Sequence, residues 1–137
     1  IGALIAGCYD VPVVMLSGDD VICREVQEWL PGIETAVVKY GLNRMGAICL
    51  PIEQAHGLIR TKARAAMAKI DQMKPYKIDP PYTLEIETTD PSYAQRMSLM
   101  PGSEYDGNRK VSYVCDDFLE SHRAFLTLVF LSGTAAP

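Results

Sequence analysis

Apolar and polar positions along this chain change period several times, and each change marks an element. Ile1, Leu4, Ile5 and Cys8 recur at helical spacing from the first residue. A helix normally starts behind Ser, Thr, Asp or Asn, whose side chain satisfies its first backbone N–H groups. None precedes Ile1, so the chain is expected to continue a longer polypeptide. Val11 to Leu16 is a short, unbroken apolar run, the mark of a strand buried on both faces. Ser17-Gly18-Asp19-Asp20 then turns into a helix with Ile22, Val26, Trp29 and Leu30 on its apolar side. Pro31-Gly32 stops it. Thr35 to Tyr40 supplies a second strand, and Gly41 to Leu50 reads as a loop or short helical turn. Strand, helix, strand in this compass is a βαβ unit with neighbouring, parallel strands.

Pro51 suits the first turn of a further helix. From Ile52 through Ala55, Ile59, Ala63, Met67 and Ile70 to Met73 the stripe holds its helical period as far as Pro75. The stretch from Tyr76 to Pro81 is the best linker candidate. Tyr82 to Thr88 then alternates, with Tyr82, Leu84 and Ile86 against Thr83, Glu85 and Glu87, as in an antiparallel sheet with one wet face. Ser92 to Met100 predicts a short helix behind Asp90-Pro91, and Lys110 to Cys115 a returning strand. Asp116 or Asp117 caps a final apolar helix that ends near Gly133. The expected class is α/β: a parallel βαβ piece with flanking helices over 1–75, completing a domain whose first half is missing, then a smaller α+β piece with antiparallel strands over 76–137.

Composition narrows the partners. The chain has 137 residues and a net charge of −4, with its basic residues scattered. Nucleic-acid binding needs clustered Lys and Arg, so it is excluded as an expectation. The longest apolar runs, Val11 to Leu16 and Phe125 to Leu131, are too short to cross a bilayer, and no membrane partner is expected. No basic-then-apolar leader opens the chain. The four cysteines, Cys8, Cys23, Cys49 and Cys115, lack the close pairing of a zinc knuckle or redox pair. They read as reduced core thiols of a cytoplasmic protein.

The most suggestive chemistry is Asp19 and Asp20 at a strand-to-helix turn, because ligands of open α/β sheets sit at the carboxyl ends of the strands. Two carboxylates there repel phosphate and suit an ammonium group or a metal cation. Equally, Asp19 caps the helix and Asp20 complements its dipole. Lys39 ends the second strand and Arg44 follows in the loop; both are candidates for the same crevice, to bind a carboxylate or to pair with the aspartates. Glu53 and His56 have the spacing of a helical metal pair. They supply two ligands where a catalytic zinc takes about three from protein, and a solvated helix face explains them. His122 stands alone. The residues by themselves assign no catalytic or metal-binding side chain.

A resemblance takes the reading further. Ala6-Gly7-Cys8-Tyr9-Asp10-Val11-Pro12-Val13, Ser17-Gly18-Asp19-Asp20, Glu34-Thr35-Ala36-Val37-Val38-Lys39 and Arg44 follow one another in the order and at the spacing of the D-aminopeptidases encoded with dipeptide transporters. Cys49-Leu50, Leu58-Ile59-Arg60, Leu99-Met100-Pro101-Gly102 and Asp117-Phe118-Leu119-Glu120 continue the likeness over nearly the whole chain. The chain resembles the C-terminal portion of that zinc-dependent family. Gly41 to Gly46 and Ile86 to Asp90 follow the family only loosely.

The resemblance implies a zinc peptidase that removes D-amino acids from the N-terminus of short peptides, assembled as a ring-like homo-oligomer. It also implies zinc ligands ahead of Ile1: an acidic motif at the start of the family's chain, histidines further along, and a glutamate just before this stretch. Neither histidine of this chain matches a family ligand, so the expected catalytic and metal sets here are empty. Asp19, Asp20, Lys39 and Arg44 carry over as matching positions. A stand-alone oligomerisation or interaction module, and a small amine-binding α/β domain without catalysis, are the alternative readings.

Overall fold

The computed structural model describes residues 1–134. Two compact units divide the chain: residues 9–76 form one, and residues 1–8 with 77 onward form the other.

Helix α1 (Gly2–Cys8) is followed two residues on by Asp10, whose φ of 57° is a left-handed conformation that Asp tolerates better than most side chains. In the unit of residues 9–76, strand β1 (Met15–Asp19) lies parallel to β2 (Glu34–Asn43), with helix α2 (Asp20–Trp29) as the crossover. The expected βαβ unit is therefore present, displaced along the chain. The apolar run from Val11 starts with Pro12, which has no N–H to donate. Regular pairing begins at Met15 and runs on through Ser17-Gly18, so the turn expected there is strand up to the helix cap.

Gly41 to Leu50 departs from the sequence reading. Strand β3 (Gly46–Cys49) folds back antiparallel on β2, with Lys39 opposite Cys49 and Tyr40 opposite Ile48. The signal for the turn is Asn43, whose Oδ1 accepts a hydrogen bond from the backbone N–H of Met45 at 2.9 Å. That bond lets asparagine close a turn with its own side chain. Helix α3 (Ile52–Met67) follows Pro51 as expected and packs against β1 and β2, and a short 3-10 turn covers Ile70–Gln72. The sheet order is β1-β2-β3.

Helix α2 buries a different stripe from the one its pattern suggested. Cys23 is buried and Val26 and Leu30 are half-buried, whereas Ile22 and Trp29 are exposed. Val26 lies three residues on from Cys23 and Leu30 four on from Val26, so these three share the covered face of α2 and the indole is left outside. The expectation of four core thiols also fails. Only Cys23 is buried; Cys8 and Cys49 are exposed and Cys115 is half-buried. Cys49 sits on the hairpin, where no layer of its own unit covers it.

The other unit is built on β4 (Tyr82–Glu87), β5 (Glu104–Tyr105) and β6 (Lys110–Cys115), antiparallel in the order β4-β6-β5. Helices α4 (Pro91–Met97) and α5 (Phe118–Ser132) lie against it, and α1 packs on α5. Leu128, Val111, Ala94 and Met97 make the core, with Leu84, Ile86 and Met100 around them. The opposite face of the sheet is wet and carries the ion pairs Lys110–Glu85 at 2.6 Å and Arg109–Glu87 at 2.9 Å. The class is thus α/β, a parallel-containing sheet followed by an antiparallel α+β piece. No helix among the described residues is long and apolar enough to cross a membrane.

Candidate functional site

The carboxyl end of β1 brings together three of the four residues singled out by sequence. The parallel register sets Asp19 opposite Lys39. Asp19 is the N-cap of α2, its Oδ1 accepting from the N–H groups of Val21 and Ile22 at 3.1 and 2.9 Å. Two orphan donors of the helix are thereby satisfied and this carboxylate is largely committed. Asp20 opens the first turn, where its charge complements the helix dipole. Its Oδ1 accepts from the Gly41 N–H at 3.3 Å and its Oδ2 pairs with Arg24 at 3.4 Å. Both contacts are long, so the carboxylate keeps accepting capacity toward a cation. Among the described residues the salt-bridge network expected with Lys39 and Arg44 does not form: Asp20 pairs with Arg24, its neighbour one helical turn on. Lys39 is exposed beside the aspartates. Arg44 lies further out, exposed at the tip of the β2–β3 hairpin.

Beneath this edge, burial pushes the Cys23 thiol above its ordinary value, the Gly18 backbone hydrogen bond opposes that, and the charges of Asp19 and Asp20 add to the rise. A thiol in that setting is a packing residue, because only the thiolate is nucleophilic.

Other positions quoted for the resemblance have structural work. A Cβ at Gly18 would stand 2.5 Å from the Ile22 methyl, so glycine lets the strand press against α2 without displacing that side chain. Gly102, at φ +82°, has the Tyr113 ring 3.3 Å from where a Cβ would be. The Tyr113 hydroxyl donates to Glu120 at 2.7 Å, tying β6 to α5, and the same carboxylate raises the tyrosine's proton affinity. Asp117 caps α5 through the Leu119 N–H at 2.8 Å. Glu53 and His56 are exposed on α3, as a solvated face requires. His122 has its Nδ1 buried without a hydrogen-bond partner among the described residues and stacks on Phe125.

Sequence reasoning missed a cavity of about 320 Å³ in the unit that contains α1 and α5. Leu4, Ile78, Tyr82 and Phe118 form its apolar walls, and Asp116 and Asp117 an acidic lip. Tyr82 and Phe118 meet edge to face at 5.5 Å, and the Tyr82 hydroxyl donates to the Ile78 carbonyl at 3.1 Å. Lys77 also lines it and is not free. Asp116 has no hydrogen-bond or ion-pair partner among the described residues. The doublet before the last helix was the available signal, but capping accounted for it.

The comparisons agree with this architecture. The D-aminopeptidase family model matches residues 1–127. A D-aminopeptidase of Bacillus subtilis (strain 168) is 35% identical over 133 residues, covering 96% of this chain and 48% of that protein. The zinc-dependent D-aminopeptidase DppA from Bacillus subtilis, a self-compartmentalizing protease, matches with a TM-score of 0.94 at 33% identity, over 98% of this chain and 50% of that one. The chain belongs to the D-aminopeptidase family. It spans about half the length of the relatives it matches, and corresponds to their C-terminal half. Among the described residues no three His, Cys, Asp or Glu side chains converge to hold a metal ion.

Proposed function

We propose that this chain is the C-terminal part of a zinc-dependent aminopeptidase that releases N-terminal D-residues from short peptides in the cytoplasm. It contributes scaffold, the wall of the substrate channel and subunit contacts of a homo-oligomer, while the zinc ligands come from residues ahead of Ile1. The observation that carries this is the match of 98% of the chain, at a TM-score of 0.94, to half of a zinc-dependent D-aminopeptidase. A catalytic zinc takes about three ligands from protein, and the described residues bring no such group of three together.

Asp19 shapes the crevice by fixing the start of α2. Asp20, its neighbour, receives the free α-ammonium of the substrate, an assignment suited to a carboxylate with two long contacts at the end of a strand. In the natural full-length polypeptide, zinc content and release of D- against L-residues from short peptides test the reading. Bound zinc and a preference for D-residues are expected; zinc-independent cleavage or none refutes it. Asp20→Asn raises KM for free-amine peptides, and an unchanged KM removes Asp20 from the substrate's site.

The exposed apolar hairpin gives weight to a second reading, a module whose task is assembly alone. Such a protein forms its oligomer yet binds no zinc and cleaves nothing.

A further inference from the structure

We infer that the Lys39 ammonium binds the C-terminal carboxylate of the peptide substrate, so that this residue favours dipeptides over longer chains. The inference rests on the proposed function and adds to it the group that reads the far end of the substrate.

A break in the strand register places the lysine. Gly18 pairs with Val37, yet Asp19, the next residue of β1, pairs with Lys39, so Val38 has no partner on β1. An extra residue of this kind makes a β-bulge, rare between parallel strands and frequent beside active sites, where it re-aims a side chain. Regular pairing would set Val38 against Asp19 and leave the lysine one step further on. The bulge thus substitutes a cation for an apolar group at the carboxyl end of β1, the end at which open α/β sheets bind their ligands.

Nothing within the described residues uses that cation. Lys39 is exposed, and its ammonium has neither a hydrogen bond nor an ion pair among the described residues. Two carboxylates stand near it, but each is engaged elsewhere. Asp19 caps α2 through the N–H groups of Val21 and Ile22, and Asp20 takes the Gly41 N–H and Arg24. The charge is left for an anion that arrives with the substrate, and a free peptide brings one in its α-carboxylate. Asp20 takes the α-ammonium in the proposed function, so the two residues read the two charges of one zwitterion. The spacing suits two residues. Neighbouring strands lie about 4.8 Å apart and an extended dipeptide spans at most about 7 Å, a difference that the flexible lysine stem covers. A tetrapeptide reaches about 14 Å and carries its carboxylate past the lysine.

The natural full-length polypeptide, with its zinc, is assayed by kcat/KM on a dipeptide with N-terminal D-alanine and on its C-terminal amide. The corresponding tetrapeptide pair is assayed beside it. The parent favours the free-acid dipeptide over its amide by about tenfold or more, and shows no such preference within the tetrapeptide pair. Lys39→Gln and Lys39→Met each bring the dipeptide ratio to within about twofold of one, whereas Lys39→Arg keeps most of it. Circular dichroism and zinc content check that each variant retains the parent's fold and metal, as expected of an exposed side chain. Equal cleavage of acid and amide dipeptides by the parent overturns the inference and gives Lys39 to the fold or to the rest of the polypeptide. So does a ratio that survives in Lys39→Gln and Lys39→Met, because the carboxylate is then held elsewhere. Cleavage of either dipeptide upholds the proposed function whatever the ratio; cleavage of neither removes both.

Discussion

The two units differ in what they bury. The unit with α1, α4 and α5 closes a core of full-sized side chains, with Leu128 and Val111 wholly inaccessible and Met97 beside them. In residues 9–76 the buried set is Cys23, Ile33, Ala36 and Ala66, mostly small, while Val21, Trp29, Tyr40, Leu42, Ile48 and Ile52 lie open to solvent. Burial of large apolar side chains is the main source of stability. The first unit thus buries the larger side chains, although it too leaves Leu99, Val114 and Phe130 open to solvent. The second keeps much of its apolar surface for contacts beyond its own residues, as a scaffold and contact element of the proposed enzyme does.

Truncating a large apolar side chain in each unit, one buried and one exposed, separates the two. Leu128→Ala should cost about 3 kcal/mol in denaturant unfolding, since it opens a cavity in a core that cannot collapse around it. Trp29→Ala, a larger truncation at a side chain 62% exposed, should cost less than about 1 kcal/mol. If the two losses were equal, the contrast between the units would be false. Gly18→Ala tests how far the more open unit yields. Its Cβ meets Ile22 at 2.5 Å, but Ile22 is partly exposed and can shift, so a loss of about 1–2 kcal/mol is expected in the same assay. Asp19→Ala removes the cap of α2 and should lower stability by about 1 kcal/mol, read as a fall in Tm, with Asn at this position recovering most of it.

The smallest effect is one of pH. Hydrogen bonds from Lys69 and then Lys62 hold the Glu34 carboxyl below its ordinary value of 4.5. A depressed carboxylate stabilises the fold fully above its unfolded value, and that contribution is lost as pH falls through the folded one. Glu34→Gln should therefore flatten the decline of Tm below about pH 4.5 and leave its shape near neutrality unchanged. A parallel decline in both proteins would show that the two lysines do not hold this group.

Much of the fold was legible because local rules and global packing agree. Asp90 and Asp117 announce α4 and α5, and both side chains accept the cap hydrogen bonds that their positions suggest. The alternation from Tyr82 to Glu87 became a strand half-buried on every second residue. Failures fall where that agreement lapses. The hairpin after Gly41 lacks an apolar alternation facing a core, so its only local signal was Asn43 closing a turn. Trp29 followed a helical period yet stayed outside, because a period states which residues share a face and not whether that face is covered. At the candidate site, proximity of Asp19 to Asp20 is a matter of sequence; Lys39 joins them only through strand register. Asp20 chose Arg24 over Lys39, since a partner four residues along a helix needs no tertiary luck.

The sequence by itself determined the elements, their caps and the order of family motifs, because periodicity, capping and turn chemistry act within a few residues. Only the tertiary structure decided that α1 belongs with residues from Lys77 onward, and that Leu4, Tyr82 and Asp116 wall one cavity. Those facts depend on which distant surfaces exclude water together, and nothing local encodes the partner of an exposed face.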